Sequence, residues 1–90
     1  MSVKVIIHKT HRQFTNGLDI VEVEGHTVGD CLDNLVGQYP GMEKALFDKK
    51  GNLLRVIEIY INSKSAYPDE LARKVKDGDK VHITLLLAGG

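Results

Sequence analysis

Hydrophobic positions along the chain repeat with two different periods, which distinguish predicted strands from predicted helices. Alternation at every second residue predicts four strands, over residues 3–9, 18–24, 53–62 and 81–87. Apolar residues at helical spacing after Thr27, a predicted N-cap, predict one main helix that ends at Pro40-Gly41. The pattern therefore predicts a sheet with one principal helix.

The connections between these elements carry turn residues and two shorter helical patterns. The polar stretch 10–17 ends in Asn16-Gly17, which favours a turn and an antiparallel hairpin between the first two strands. We predict short helices over residues 42–47 and 68–74, an irregular segment at 63–67 and a turn at 76–79.

This order of elements predicts an α+β fold in a single domain that spans residues 1–90. We expect a mixed sheet of four to five strands packed on one main helix. A crossover through the long helix would place strands from the two ends of the chain side by side. Because a chain of 90 residues buries only a modest core, functional residues are expected on the surface or at a terminus.

Charge and composition argue against several classes of function. Twelve Lys and Arg residues are balanced by twelve Asp and Glu residues, without the surplus of cations typical of nucleic-acid binding. No apolar stretch approaches the roughly 20 residues of a membrane span. The one cysteine, Cys31, cannot form an internal disulfide. We therefore predict a cytoplasmic protein that binds neither nucleic acid nor membrane.

The sequence contains no clustered side chains that are typical of a metal site or a catalytic site. His8 and His11 would point to opposite faces if both lay on one strand. His26 and His82 have no acidic or cysteine partner in a ligand-like spacing. Cys31 lies on the apolar side of the predicted main helix, where a buried, inert thiol is expected. We predict no metal site, no bound cofactor and no enzymatic activity of the chain by itself.

Several short segments follow one another in an order that is typical of one protein family. In this order they resemble the MoaD/ThiS family of ubiquitin-like (β-grasp) sulfur carriers, and the resemblance covers essentially the whole chain. The family includes the small subunit of molybdopterin synthase, the thiamin sulfur carrier and carriers for cysteine or homocysteine synthesis. The segments are Arg12–Gly17, Val21–Glu24, Gly25–Gly29, Tyr39–Gly41, Leu46–Asp48, Gly51–Leu53, Tyr60–Asn62, Asp77–Val81 and Ala88–Gly90.

The resemblance implies a ubiquitin-like β-grasp fold and a carrier that is not itself an enzyme. A partner adenylating enzyme would use ATP to activate the C-terminal carboxylate of Gly90, which then becomes a thiocarboxylate. The sulfur would pass to a sulfur-accepting synthase in the synthesis of cysteine or homocysteine, molybdopterin or thiamin. The resemblance also allows a role as the small subunit of a two-component synthase.

Residues 86–90 form a predicted flexible tail whose composition suits this chemistry. Gly89 and Gly90 lack Cβ atoms, so the backbone can enter a narrow channel and the carbonyl of Gly90 stays open to attack. The four residues from Leu87 to Gly90 reach about 13–14 Å when extended. We predict that Ala88, Gly89 and Gly90 enter the active site of a partner, with Gly90 as the reactive residue.

The outward side of the last strand predicts a surface for this partner. His82, Thr84 and Leu86 alternate with inward apolar residues, and Tyr60 would join them from the neighbouring strand. Leu87 follows where the tail leaves the strand. These five residues are the predicted partner-binding set, although isolated exposed apolar side chains are also normal on protein surfaces.

The residues leave two other functions open. The same activated tail would also suit a protein modifier that forms amide bonds with lysines of target proteins, and the fold would also suit a plain interaction module with an idle tail.

Leu85-Leu86-Leu87 stands where molybdopterin-synthase subunits often carry prolines or small residues, and residues 63–74 also differ from the usual family form. The leucines favour amino-acid sulfur assimilation over molybdopterin synthesis.

Overall fold

The computed structural model describes residues 2–86, so Met1 and residues 87–90 lie outside the described part of the chain. Two 3-10 helices accompany the α-helices and strands, and the α+β class is confirmed. The strands are β1 (Ser2–Ile6), β2 (Ile20–Glu24), β3 (Ile57–Ile61), β4 (Lys64–Ser65) and β5 (Lys80–Leu85). The helices are α1 (Val28–Gln38), α2 (Met42–Leu46) and the 3-10 helices Lys9–Phe14 and Glu70–Ala72.

The strands form one five-stranded mixed sheet in the order β2-β1-β5-β3-β4. Strand β1 pairs antiparallel with β2 and parallel with β5, and β5 pairs antiparallel with β3. The predicted hairpin and the predicted meeting of strands from the two ends of the chain are both confirmed. In the parallel pair, Val5 lies beside Val81.

The core lies between one face of this sheet and helix α1. Alternate side chains of β1, β2 and β5 are buried on that face, while the residues between them are exposed or half-buried on the other. Helix α1 contributes four side chains with 0% of their surface exposed. They are Val28, Cys31, Leu32 and Leu35. The apolar side chains that alternate along the strands therefore pack against the apolar side chains at helical spacing in α1.

Helix α1 begins at the predicted cap. The Thr27 hydroxyl accepts a hydrogen bond from the N–H of Asp30 at 3.1 Å, and the Asp30 carboxylate accepts one from the N–H of His26 at 3.2 Å. The N–H of Val28 donates to the carbonyl of Arg73 at 2.9 Å. A segment far along the chain therefore satisfies an amide that the helix itself leaves unpaired.

Gly25 stands where the chain passes close to the start of α1. A Cβ atom at this position would lie 2.7 Å from the Cβ of Asp30 and 2.8 Å from the backbone nitrogen of Cys31. Because real Cβ atoms do not approach so closely, a larger residue would push the end of β2 away from the helix. This contact explains the glycine that opens the family-like segment at residues 25–29.

The segment between β1 and β2 differs from the prediction. Strand β1 ends at Ile6, and residues expected to form a polar loop form the 3-10 helix Lys9–Phe14. The rings of His8 and His11 lie at its start with centroids 6.1 Å apart. The predicted separation of these two imidazoles on opposite faces of a strand was therefore wrong, because both lie at the start of this 3-10 helix. The turn at Asn16-Gly17 is confirmed, with φ angles of 54° and 82°.

The region after residue 53 is also less extended than predicted. Strand β3 begins at Ile57, and the helix expected over residues 68–74 is only the 3-10 helix Glu70–Ala72. The segment 63–67, expected to be irregular, contains β4, which continues the sheet with Tyr60 beside Ser65. The last strand ends at Leu85, and Leu87, which was expected to belong to it, lies outside the described residues.

Asn62 joins the turn after β3 to the start of β5. Its side-chain amide donates to Asp79 Oδ1 at 2.9 Å, and its side-chain oxygen accepts the N–H of Lys80 at 3.0 Å. The other carboxylate oxygen of Asp79 accepts the N–H of Lys76 at 2.9 Å. The hydrogen bond from Asn62, followed by that from Lys76, holds the pKa of the Asp79 carboxyl below its usual value.

We expect Asn62→Ala to lower the free energy of unfolding by about 1–3 kcal/mol, because it removes two hydrogen bonds from this cluster. Alanine also tolerates the φ of 49° at this position less well than asparagine. Urea unfolding measures the change. The control is Asn52→Ala. Asn52 lies in an exposed loop, and its backbone N–H, rather than its side chain, donates a hydrogen bond to the carboxylate of Asp48. A loss no larger than in the control would contradict the role given to Asn62.

His11 is buried in the first 3-10 helix, with 6% of its surface exposed. No hydrogen-bond partner for its Nδ1 atom occurs within residues 2–86. Burial, followed by the charge of His8, lowers the pKa of His11 below 6.5. The fold therefore favours the neutral imidazole, because the charged form would lose its hydration.

We expect the free energy of unfolding to fall as the pH drops below 6.5, because the unfolded chain then binds a proton that folded His11 resists. The contribution of neutral His11 to the free energy of unfolding is fully present above pH 6.5. It is lost as the pH falls from 6.5 through the lower pKa of the folded state. Urea unfolding at a series of pH values above about 4.5 measures this contribution of His11, because the carboxyl of Asp79 titrates at lower pH. His11→Gln should flatten the dependence, whereas His26→Gln, at an exposed position, should retain it. An unchanged slope in His11→Gln would refute this assignment.

Candidate functional site

The candidate site begins where β5 ends. The N–H of Leu86 donates to the carbonyl of Val56 at 2.6 Å, so the sheet holds the chain up to this residue. The predicted tail residues Leu87, Ala88, Gly89 and Gly90 lie outside the described residues. The structure therefore places the root of the predicted tail, at Leu86, beside the start of β3.

The sheet face opposite α1 carries a row of cross-strand neighbours. The register places Ile20 beside Ile6, Ile6 beside His82, and His82 beside Tyr60. Ile20 and His82 are exposed, while Ile6 and Tyr60 are half-buried. Two predicted docking residues, Tyr60 and His82, do meet. Sequence reasoning missed the two isoleucines, although strand alternation places both on the outward side and was available as a signal.

The other predicted docking residues lie further along the sheet. Thr84 lies opposite Glu58, and its hydroxyl donates to the Glu58 carbonyl at 3.3 Å. Leu86, with 53% of its surface exposed, bonds Val56. Val56 lies four residues before Tyr60, which corresponds to about 13 Å of extended chain. Tyr60 was predicted to join Leu86 in one outward-facing set, and this part of the prediction was wrong, because the antiparallel register sets the two residues at different levels.

Cys31 points into the core from helix α1, with 0% of its surface exposed. Burial, followed by the negative charge of Asp30, raises the pKa of the thiol to about 11. Because the thiolate is the reactive form of cysteine, the fold holds this residue in its unreactive state. The prediction of a buried thiol is confirmed.

Residues 2–86 carry neither a metal-binding cluster nor a membrane-spanning helix. No group of three or more His, Cys, Asp or Glu side chains there is arranged to hold a metal ion. None of the helices between residues 2 and 86 combines the length and apolar character that crossing a membrane requires.

Comparisons with known proteins agree over most of the chain. The model of the ThiS family matches residues 5–90. The sulfur carrier protein CysO of Mycobacterium tuberculosis is 34% identical over 93 aligned positions, which cover 100% of both chains. Small archaeal modifier protein 1 of Haloferax volcanii is 35% identical over 71 positions, which cover 78% of each chain.

A solved structure shows the same fold. A chain of the Amycolatopsis orientalis BexX/CysO complex superposes with a TM-score of 0.88 at 32% identity, covering 98% of this chain and 99% of that chain. The mixed sheet packed on one main helix is therefore the ubiquitin-like β-grasp arrangement, as the sequence resemblance implied.

We expect iodoacetamide to leave Cys31 of the folded chain essentially unmodified, because the thiol is buried and little thiolate forms near neutral pH. A rise of its pKa from 9.0 to about 11 lowers the thiolate fraction on the order of a hundredfold. Intact-mass measurements of labelling rates with and without denaturant test this. Cys31→Ala, which gains no label in either state, is the control. Labelling of the folded chain at the denatured rate would show that the thiol is accessible.

Proposed function

Because the chain belongs to the ThiS family, we propose that it is a sulfur carrier whose C-terminal glycine, Gly90, is activated and loaded by a partner enzyme. The observation that carries the proposal is the root of the tail. The sheet holds the chain as far as Leu86, and the sequence continues as Leu87-Ala88-Gly89-Gly90. The alignment over 100% of this chain and of the CysO sulfur carrier supports it.

A terminal carboxylate needs activation because it carries negative charge and lacks a good leaving group. In the proposed cycle, the Gly90 carboxylate attacks the α-phosphorus of ATP, releasing pyrophosphate and forming an acyl-adenylate. A reduced sulfur nucleophile then attacks the acyl carbon, the bond to AMP breaks, and a thiocarboxylate remains. One ATP and one sulfur atom are consumed. The partner binds the ATP, so no cofactor is assigned to this chain.

The carrier itself contributes position and access. Gly89 and Gly90 allow the backbone to pass through a narrow channel, and residues 87–90 reach about 13–14 Å beyond Leu86 when extended. The buried, weakly acidic thiol of Cys31 is a poor site for sulfur attachment, which supports Gly90 as the residue that carries it.

We place the docking surface for the activating enzyme on the outer face of the sheet. Ile20, Ile6, His82 and Tyr60 form a contiguous row there, and exposed apolar groups arranged in a patch are typical of interaction sites. Strand β5 contributes to this row and also leads to the tail. A partner seated on the face would therefore receive the tail in a fixed direction.

Amino-acid sulfur assimilation in the cytoplasm is the pathway we favour, with a synthase that accepts sulfur as the second partner. The full-length alignment is with a carrier named CysO, and the leucines at residues 85–87 differ from the molybdopterin-synthase pattern. The second candidate is a protein modifier, favoured by the 35% identity with small archaeal modifier protein 1. Both functions share the adenylation step and differ in the nucleophile that follows, sulfur or a lysine amine.

We expect incubation with an activating enzyme of the same organism, ATP and sulfide to replace one oxygen of the chain by sulfur. Intact mass measures the exchange. Because Cys31 is buried, iodoacetamide under native conditions should alkylate the loaded chain once and leave the unloaded chain unmodified. The probe therefore reports the thiocarboxylate separately from the thiol, and Cys31→Ala should load and label as the parent does.

Deletion of Gly90 should abolish loading and leave the unfolding curve unchanged, since the sheet hydrogen bonds found within residues 2–86 do not involve Gly90. His82→Glu, on the outer face, should change stability by no more than about 0.5 kcal/mol while raising the carrier concentration needed for half-maximal loading. Loading that survives the deletion would refute the mechanism, as would an unchanged mass with every activating enzyme of the host. Lysine adducts that depend on Gly90 would identify a modifier instead.

A further inference from the structure

A groove of about 750 Å³ lies at the β3 edge of the sheet. Two half-buried leucines, Leu54 and Leu71, line it together with two exposed side chains. These are Tyr67, with 74% of its surface exposed, and Leu86, with 53%. The residues of the outer-face row do not line this groove. Because accessible apolar side chains gathered in a concave surface are typical of docking sites, the groove is a second candidate surface for a partner.

The backbone of β3 is not accessible from this groove. Ile57 and Ile59 expose only 4% and 1% of their surface. The N–H of Ile57 donates to the carbonyl of Leu54 at 3.0 Å, and the carbonyl of Ile59 accepts the N–H of Ala66 at 2.9 Å. Segments before and after β3 therefore cover this edge, and recognition in the groove depends on side chains.

The covered edge restricts the kind of protein segment that fits. An extended segment against these apolar walls would bury its own N–H and C=O groups without a strand to pair with, which is unfavourable. An α-helix pairs its backbone groups internally and presents apolar side chains along one face. A groove that recognises side chains alone therefore favours an amphipathic helix over an extended segment.

Charges around the groove favour a basic helix. Glu58, Asp69 and Glu70 line it, against the guanidinium of Arg55. Carboxylates therefore outnumber cations by three to one among its described lining residues. A helix with Lys or Arg on both borders of its apolar face gains electrostatic complementarity, whereas an acidic helix is repelled.

We propose that this groove binds an amphipathic α-helix of a partner protein, whose apolar face packs on Leu54, Leu71 and Leu86 and whose borders carry basic residues. Because Leu86 is the last described residue, the bound helix would lie beside the root of the tail. The proposal does not depend on sulfur carriage, since it rests on the groove alone.

The charge of the groove argues against two occupants from this chain. The carboxylate of Gly90 would face three carboxylates, and a second copy docked groove to groove would bring two acidic surfaces together. Both arrangements are unfavourable, because like charges repel where they are partly shielded from water.

The test uses the capped peptide Ala-Lys-Leu-Lys-Ala-Leu-Leu-Ala-Lys-Leu-Lys-Ala, titrated into the full-length ¹⁵N-labelled chain. In a helix its leucines share one face and its lysines border that face. We expect the largest amide shifts at Leu54, Tyr67 and Leu71. The analogue with every lysine replaced by glutamate should bind about tenfold more weakly. The analogue with proline in place of the two inner alanines should also lose about tenfold, because it cannot form the helix.

Matched variants separate the groove from the rest of the surface. Leu86→Ala should weaken binding of the basic peptide about fivefold, whereas Leu18→Ala, 44% exposed and absent from the groove lining, should leave it unchanged. Glu70→Lys should weaken it about threefold, whereas Glu22→Lys, exposed on β2 at the opposite edge, should not. Urea unfolding verifies that each variant is folded.

Four results with peptide would overturn the proposal: equal binding of the basic and acidic peptides, equal binding of the proline analogue, shifts confined to the outer face, or no shifts at all. Two results without peptide would also overturn it. Amide signals of Tyr67 and Leu71 that depend on protein concentration would identify a second copy, and signals of these residues that move when residues 87–90 are removed would identify the tail.

Discussion

The parallel pairing of β1 with β5 is the constraint on which the rest of the structure depends. Val5 and Val81 meet there with 0% of their surface exposed, at the centre of the sheet and against α1. The N–H of Lys4 also donates to the carbonyl of Asp79 at 3.0 Å, which extends the pairing past the strands. Because parallel neighbours need a crossover connection, every other element is arranged between or around these two strands.

A central last strand, β5, connects the body of the domain to the root of the proposed reactive tail. Strand β5 has a partner on each side, so the described part of the chain reaches Leu86 from the interior of the sheet. The same body buries the thiol of Cys31 and thereby removes a competing sulfur nucleophile. The fold thus supplies a rigid support, while the chemistry that we propose for Gly90 would belong to a partner.

Two surfaces of different character lie on either side of β3. The outer face carries Ile6, Tyr60 and His82 in a row set by strand register, where we propose that a partner docks. The groove at the β3 edge is lined by apolar side chains together with Glu58, Asp69 and Glu70. Strand β4 and residues 66–72 cover part of this edge, and partial covering is a common protection against uncontrolled strand pairing.

The amino-acid sequence by itself determined the local elements. Alternating valines and isoleucines marked β1, β2, β3 and β5, Thr27 marked the start of α1, and Gly89-Gly90 marked the candidate reactive end, because each is a pattern of neighbouring residues. These signals were enough to identify the family and its fold.

Only the tertiary structure decided which distant residues meet. It separated Leu86 from Tyr60, buried His11, and built β4 through a turn in which Ser63 has a φ of 73°, an uncommon angle for serine. None of these could be read from the sequence, because strand register and edge pairing depend on contacts between segments that have no common local pattern.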